Sequence, residues 1–172
     1  MSKPGASTAK ATVDWLPRID FMLEHPVEAV WPLLVHWEKW IDPYRCEHVS
    51  GPVDAVGEMK RVSQVDEAGK VLEYFHIEIV RLIPKERLAY RILSDGDYQL
   101  GPISHIHGYE IFNVHPLKER TLVTYETVAG LESNEITQAE FDKATESDLT
   151  TGLRRWHEEY IPKLRGLLSK KA

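Results

Sequence analysis

The segment DLTTGLRRWHEEYIPKLRGLL, residues 148–168, decides the fold. Within it and just before its end, Leu149, Leu153, Trp156, Tyr160, Leu164 and Leu167 recur at spacings of three and four, one apolar stripe of an α-helix. Such a helix is roughly 30 Å long, and a ten-residue strand spans about 33 Å. One amphipathic helix is therefore long enough to lie across a curved sheet. Upstream, Thr137-Gln138-Ala139-Glu140 has the capping-box form that starts a helix. Gly152 weakens the middle and Pro162 should bend the last turns, so the pattern leaves open whether residues 138–168 form one helix or two.

Working back from the helix, strand-like runs alternate with turn residues. They are Cys46–Ser50, Glu58–Val65, Val71–Leu82, Arg87–Leu93, Ser104–Val114 and Thr121–Val128. The breaks fall at Gly51-Pro52, Asp66-Glu67-Ala68-Gly69, Pro84, Ser94-Asp95-Gly96-Asp97 and His115-Pro116, and Gly130 follows the last run. Hairpin-sized gaps of this kind predict a continuous antiparallel sheet. Before them, Val13, Trp15, Ile19, Phe21 and Leu23 alternate with polar residues, the period of a half-buried strand. His25-Pro26 ends that strand. Val27–Val35 reads as a short helix with Pro32 inside it, and a second short helical stretch carries Trp37, Trp40 and Ile41 before Asp42-Pro43. The expected architecture is α+β: a curved seven-stranded antiparallel sheet wrapped around a long C-terminal helix, with two short helices at one end.

Composition narrows the function. The 172 residues hold 42% hydrophobic and 28% charged side chains, as a soluble globular chain does. Net charge is −6 with no dense Lys/Arg cluster, which disfavours nucleic acid as a partner. No apolar run approaches the roughly 18 residues of a membrane span. A single cysteine, Cys46, excludes an internal disulfide framework and any multi-cysteine metal site. Residues 1–11 read as a loose tail, 12–169 as one domain and 170–172 as a short tail. A cytoplasmic location follows by default.

Three stretches carry a family resemblance. Pro26-Val27-Glu28-Ala29-Val30-Trp31-Pro32-Leu33-Leu34, Gly51-Pro52-Val53-Asp54-Ala55-Val56-Gly57, and Ile79-Val80-Arg81-Leu82-Ile83-Pro84-Lys85-Glu86-Arg87-Leu88-Ala89-Tyr90-Arg91 stand in order and spacing. They resemble the first helix, an early turn and a central hairpin of the SRPBCC superfamily, which has START-like, birch-pollen-allergen-type (Bet v 1-like) and polyketide cyclase/dehydrase-like branches. The resemblance covers about Val13 to Leu168. It implies a helix-grip fold with a cavity between helix and sheet. It does not imply a reaction, because fold alone does not fix function.

Within that fold, alternation places Val71, Phe75, Ile77 and Ile79 inward with Tyr74, His76 and Glu78 outward, and Leu88, Tyr90 and Ile92 inward. The run 104–114 divides less cleanly. The set His105, His107, Tyr109, Ile111 is placed inward here, against Ser104, Ile106, Gly108, Glu110, Phe112. Two histidines on one strand face could shuttle a proton or bind a metal. Only two ligands can be named, so no metal or cofactor is expected. The expected ligand contacts are Tyr90, Tyr109, Tyr125, His105, His107, Trp156, Tyr160 and Leu153, with Trp40 and Tyr44 as candidates for the cavity mouth. Tyrosines suit a ligand with an apolar body and a few oxygens. Arg45 near the mouth could hold a carboxylate or make a surface ion pair, and Cys46 reads as a small buried hydrophobe.

Three functions follow as expectations. The first is binding of an apolar or amphipathic small molecule, such as a lipid, sterol or aromatic polyketide. The second is a cyclase- or dehydratase-like enzyme, with His105 or His107 as acid or base and Tyr109 or Tyr125 polarising an oxygen. The third is a protein-interaction domain using the outer sheet face. Either a monomer or a homodimer is compatible with the sequence.

Overall fold

The computed structural model describes residues 10–93 and 103–170. The expected turn Ser94-Asp95-Gly96-Asp97, most of the tail 1–11 and residues 171–172 lie outside the described residues. The chain runs β1 (Ala11–Trp15), β2 (Arg18–Leu23), α1 (Val27–Val35), a 3₁₀ turn (Trp37–Lys39), β3 (Tyr44–Ser50), β4 (Met59–Val65), β5 (Val71–Ile83), β6 (Arg87–Leu93), β7 (His105–Leu117), β8 (Arg120–Ser133), α2 (Gln138–Arg155), a π turn (Trp156–Tyr160) and α3 (Ile161–Ser169). The strands form one antiparallel sheet in the order β1-β8-β7-β6-β5-β4-β3, with β2 also on β8. The C-terminal helix packs on its inner face.

Among the described residues the sheet has eight strands where seven were expected, because the first is cut at Leu16-Pro17. Both halves keep one register on β8, with Trp15 opposite Ala129 and Arg18 opposite Glu126. The Thr127 N–H still donates to the Pro17 carbonyl at 2.9 Å. Pro17 has no N–H to return, so the ribbon is interrupted without being redirected. The expected second helix is reduced to the 3₁₀ turn at Trp37–Lys39. Strand β8 runs past Gly130 to Ser133 because β1 and β7 pair with it on either side. Tertiary pairing here overrides a local stop signal.

The C-terminal helix is continuous. Thr137 and Glu140 form the reciprocal capping box. Pro162 lacks an N–H, and its ring would crowd a carbonyl four residues back in a regular helix. The backbone answers with a π turn, in which the Ile161 N–H reaches back to the Trp156 carbonyl. Trp156, Tyr160, Leu164 and Leu168 all stay on the buried face.

Gly108 sets the distance between β7 and β8. A Cβ there would lie 2.3 Å from the Val128 carbonyl oxygen and 2.4 Å from the Ala129 Cα. Neither backbone atom has a side-chain rotation available to relieve the overlap. Gly108→Ala is expected to cost about 2–3 kcal/mol, read as a lower urea midpoint with an unchanged m-value.

Candidate functional site

Two apolar clusters cover the inner sheet face. The larger gathers β2, α1, the 3₁₀ turn and the last helical turns around Trp40, Tyr90, Phe112 and Trp156. The smaller holds Ala11, Ile92, Ile106, Ala129, Leu131 and Phe141 at the other end, and Phe75 packs against both. The helix touches the sheet at each end of its inner stripe, through buried Phe141 and Thr145 and through buried Trp156. Between them Leu149, Gly152 and Leu153 are only half-buried, and a Cβ on Gly152 would meet nothing within 4 Å. The helix is therefore less closely covered at residues 149–153, although Leu153 still packs against the larger cluster.

The inner face of the central strands carries a polar group. Tyr90, Glu110 and Thr127 lie side by side on β6, β7 and β8. The Tyr125 hydroxyl donates to Glu110 Oε1 at 3.2 Å and is 3.2 Å from Thr127 Oγ1. Trp156 covers the Tyr125 ring at 4.5 Å between centroids. Burial pushes the Glu110 carboxyl above its ordinary value, and only the Tyr125 hydrogen bond opposes it. Burial, followed by the neighbouring Glu110 charge, also pushes Tyr125 well up, so it stays a neutral phenol. Glu110 and Tyr125 nevertheless each keep part of their surface open. A protonatable carboxyl beside a phenol in an apolar interior can hydrogen-bond a ligand oxygen or exchange a proton with it.

Three expected site residues face the other way. His105, His107 and Tyr109 point to the outer face, and Tyr109 is 44% exposed beside exposed Val128. The His107 ring lies against Gly130, where a Cβ would sit 2.7 Å from its Cε1. The physical reason is register. Leu88, Tyr90 and Ile92 face inward on β6, and they pair with Phe112, Glu110 and Gly108. Buried Ile106, Phe112 and Val114 share that phase. The inward set of β7 is therefore the one containing Glu110, which the sequence reading placed outward.

Of the other expected contacts, Tyr125 carries the hydrogen bond to Glu110, and Leu153 is half-buried against the larger cluster. Tyr90 is fully buried, edge-on to Trp37 at 6.5 Å, and its hydroxyl has no partner among the described residues. Trp156 and Tyr160 belong to the core, each 7% exposed. The Tyr160 hydroxyl donates to the Asp42 carbonyl at 3.0 Å, and burial pushes its pKa up to about 12. Arg155 donates to the same carbonyl at 2.7 Å, and Lys163 pairs with the Asp42 carboxylate. Trp40 is fully buried, with its indole N–H on the Leu33 carbonyl at 2.6 Å. Tyr44 packs on the main core and also lines a surface cleft of about 470 Å³ with Asp42, Pro43, Arg45, Val65, Asp66 and Glu67. Cys46 is half-buried, and burial, with Glu38 adding to it, pushes its thiol up to about 12. It is a thiol and not a ready nucleophile. On the outer face Arg61 stacks over Tyr74 at 4.1 Å and Arg91 pairs with Glu78. Among the described residues no group of three or more His, Cys, Asp or Glu is arranged to hold a metal ion, and no helix is long and apolar enough to cross a membrane.

No protein-family model matches the sequence, and no curated protein matches it in sequence. Solved structures do match in shape. The Zhui aromatase/cyclase from Streptomyces sp. R1128 superposes with a TM-score of 0.63 at 15% identity, covering 92% of this chain and 96% of its own. Ara h 8.0201 gives 0.61 at 12%, covering 92% and 99%. A norcoclaurine synthase mutant from Thalictrum flavum, bound to a transition-state analogue, gives 0.59 at 12%, covering 94% and 98%. With the sheet order, the short N-terminal helical segment and the long C-terminal helix, these matches show that the chain has the helix-grip fold of these proteins.

Proposed function

We propose that the protein binds a small, largely apolar molecule between the sheet and helix residues 149–153, with an oxygen of the ligand against Glu110 and Tyr125. One observation carries this reading. A carboxyl with a raised pKa and its phenol partner sit half-open on the inner sheet face, in an otherwise apolar interior, and the helix that covers this face is only half-buried at residues 149–153. Pockets for small molecules have this composition, a mostly apolar wall with a few convergent polar groups. The matched structures support the reading, since one is an aromatase/cyclase and another holds a transition-state analogue. Tyr44, shared by the core and the surface cleft, marks the side on which a ligand would enter.

Native mass spectrometry of freshly purified protein is expected to show a bound small molecule released on denaturation. An apolar dye, anilinonaphthalenesulfonate, is expected to bind and to be displaced by the natural ligand. Glu110→Gln keeps the shape and removes the titrating proton, and should weaken ligand binding by about tenfold. Tyr109→Phe on the outer face should leave it unchanged. Absence of both a co-purifying molecule and dye binding overturns the reading.

A second reading is favoured by the same carboxyl: acid–base chemistry at a bound carbonyl compound, with Glu110 moving the proton and Tyr125 polarising the oxygen. In that case Glu110→Gln abolishes turnover while binding persists. Its stability also separates from wild type with pH. A buried acid with a raised pKa is best tolerated protonated, so wild type loses stability relative to Glu110→Gln as pH rises through the folded value.

A further inference from the structure

We infer that the free edge of β3 pairs antiparallel with β3 of a second copy of this chain, centred on Cys46. Strand β3 ends the sheet and pairs only with β4 among the described residues. The Val65 N–H donates to the Pro43 carbonyl directly opposite it, which fixes the phase of the β3–β4 ladder. By antiparallel alternation the backbone groups of Arg45 and Glu47 face β4, and those of Tyr44, Cys46 and His48 face outward. The Tyr44 N–H is already used by the Ile41 carbonyl at 3.3 Å. The Tyr44 carbonyl and both backbone groups of Cys46 and His48 remain to bond a neighbouring strand. An edge of this kind is a template for pairing unless something covers it.

Charge selects the register. Arg45 and Glu47 are both exposed, and neither makes an ion pair with any described residue. Centring the two-fold axis on Cys46 sets Arg45 opposite the second copy's Glu47, twice over. Centring it one residue earlier sets Arg45 against Arg45, and one residue later sets Glu47 against Glu47. Like charges directly opposite are destabilising and opposite charges favourable. The same register pairs Tyr44 with His48, so it spans the whole regular stretch before the irregularity between His48 and Ser50. In it each Cys46 N–H meets the other Cys46 carbonyl, and each His48 N–H meets a Tyr44 carbonyl. The result is one sheet continuous through both copies, an isologous interface.

Sedimentation equilibrium at micromolar to sub-millimolar concentration tests this. Wild type is expected to be a dimer that dissociates on dilution and at high salt. Glu47→Arg and Arg45→Glu each place like charges in register, and each should raise the dimer Kd at least about tenfold. The double variant Arg45→Glu/Glu47→Arg restores complementarity and should restore the dimer. Far-UV circular dichroism and thermal melts identify a variant that fails to fold, and the swap remains decisive because both substitutions are then present together. A wild type that stays monomeric overturns the inference. So does a dimer indifferent to the single substitutions, or one that the double swap does not recover.

Discussion

Trp156→Ala is expected to lower the unfolding free energy by about 3–5 kcal/mol, which is among the larger losses a single core truncation produces. Trp156 is 7% exposed and touches rings from four other parts of the chain. Tyr125 on β8 lies at 4.5 Å between centroids, Phe21 on β2 at 5.8 Å, Trp40 after the 3₁₀ turn at 6.1 Å and Phe112 on β7 at 6.3 Å. Tyr160, one turn on, is edge-on at 5.5 Å. Removing the indole leaves a void that these rings, held on separate elements, cannot all close at once. Each lost aromatic pair adds to the transfer cost. Total stabilities of small domains run about 5–15 kcal/mol, so the loss is a large share of the whole. Trp156→Phe retains part of the volume and should cost less than half as much. Urea denaturation followed by circular dichroism reads both. A loss below about 1 kcal/mol for the alanine variant would show that the helix is held elsewhere along its stripe.

The position of Trp156 was legible because a helical period survives in the sequence even where the backbone does not stay α-helical. The spacing from Trp156 to Tyr160 and Leu164 held the same face through the π turn. Strand β6 was equally plain, with Leu88, Tyr90 and Ile92 alternating inward between clear turn signals. The failure came on β7, where one face carries His105, His107, Tyr109 and Ile111 and the other mixes Ile106 and Phe112 with Gly108 and Glu110. Alternation cannot rank such faces, because each mixes apolar with polar or small residues. The tie breaks only through register, which pairs Glu110 with inward Tyr90. Val114, buried and in phase with Phe112, was the signal in the sequence that pointed the same way. The helix-capping box was read correctly because its partners are three residues apart. The half-burial of the helix at Leu149, Gly152 and Leu153 was not legible, since it depends on how the helix meets strands distant in sequence.

Glu58→Ala is expected to cost about 3–5 kcal/mol, although Glu58 lies outside both apolar clusters, because it breaks a buried charge cluster by removing one partner. Glu58 is 1% exposed immediately before β4. Its Oε1 is 3.0 Å from His48 Nδ1, and its Oε2 accepts from the Asp54 N–H at 2.8 Å. The Lys60 ammonium, 8% exposed, sits 3.6 Å from the same Oε2 and 3.8 Å from Asp54 Oδ1. The backbone of Glu58 is also tied down, its carbonyl accepting from Ile79 N–H at 2.9 Å while Gly57 donates to the Ile79 carbonyl at 2.8 Å. The side chain thus closes the Gly51–Gly57 turn onto the sheet, and alanine leaves the buried Lys60 with the half-exposed Asp54 carboxylate as its one remaining ion-pair partner among the described residues. Burial alone would raise the Glu58 pKa. The His48 hydrogen bond, the Asp54 amide and Lys60 together outweigh it and hold the carboxyl below its ordinary value of 4.5. The sign of the pH dependence follows. A folded pKa below the unfolded one contributes stability that is present above 4.5 and is lost as pH falls through 4.5 towards the folded value. The gap in stability between wild type and Glu58→Gln should therefore be widest at neutral pH and close on acidification. A gap that stays constant with pH would show that Glu58 acts as a neutral hydrogen-bonding group. Glu58→Leu/Lys60→Met removes both charges together, and should recover part of what the single truncation loses, because no buried ammonium is then left short of a partner.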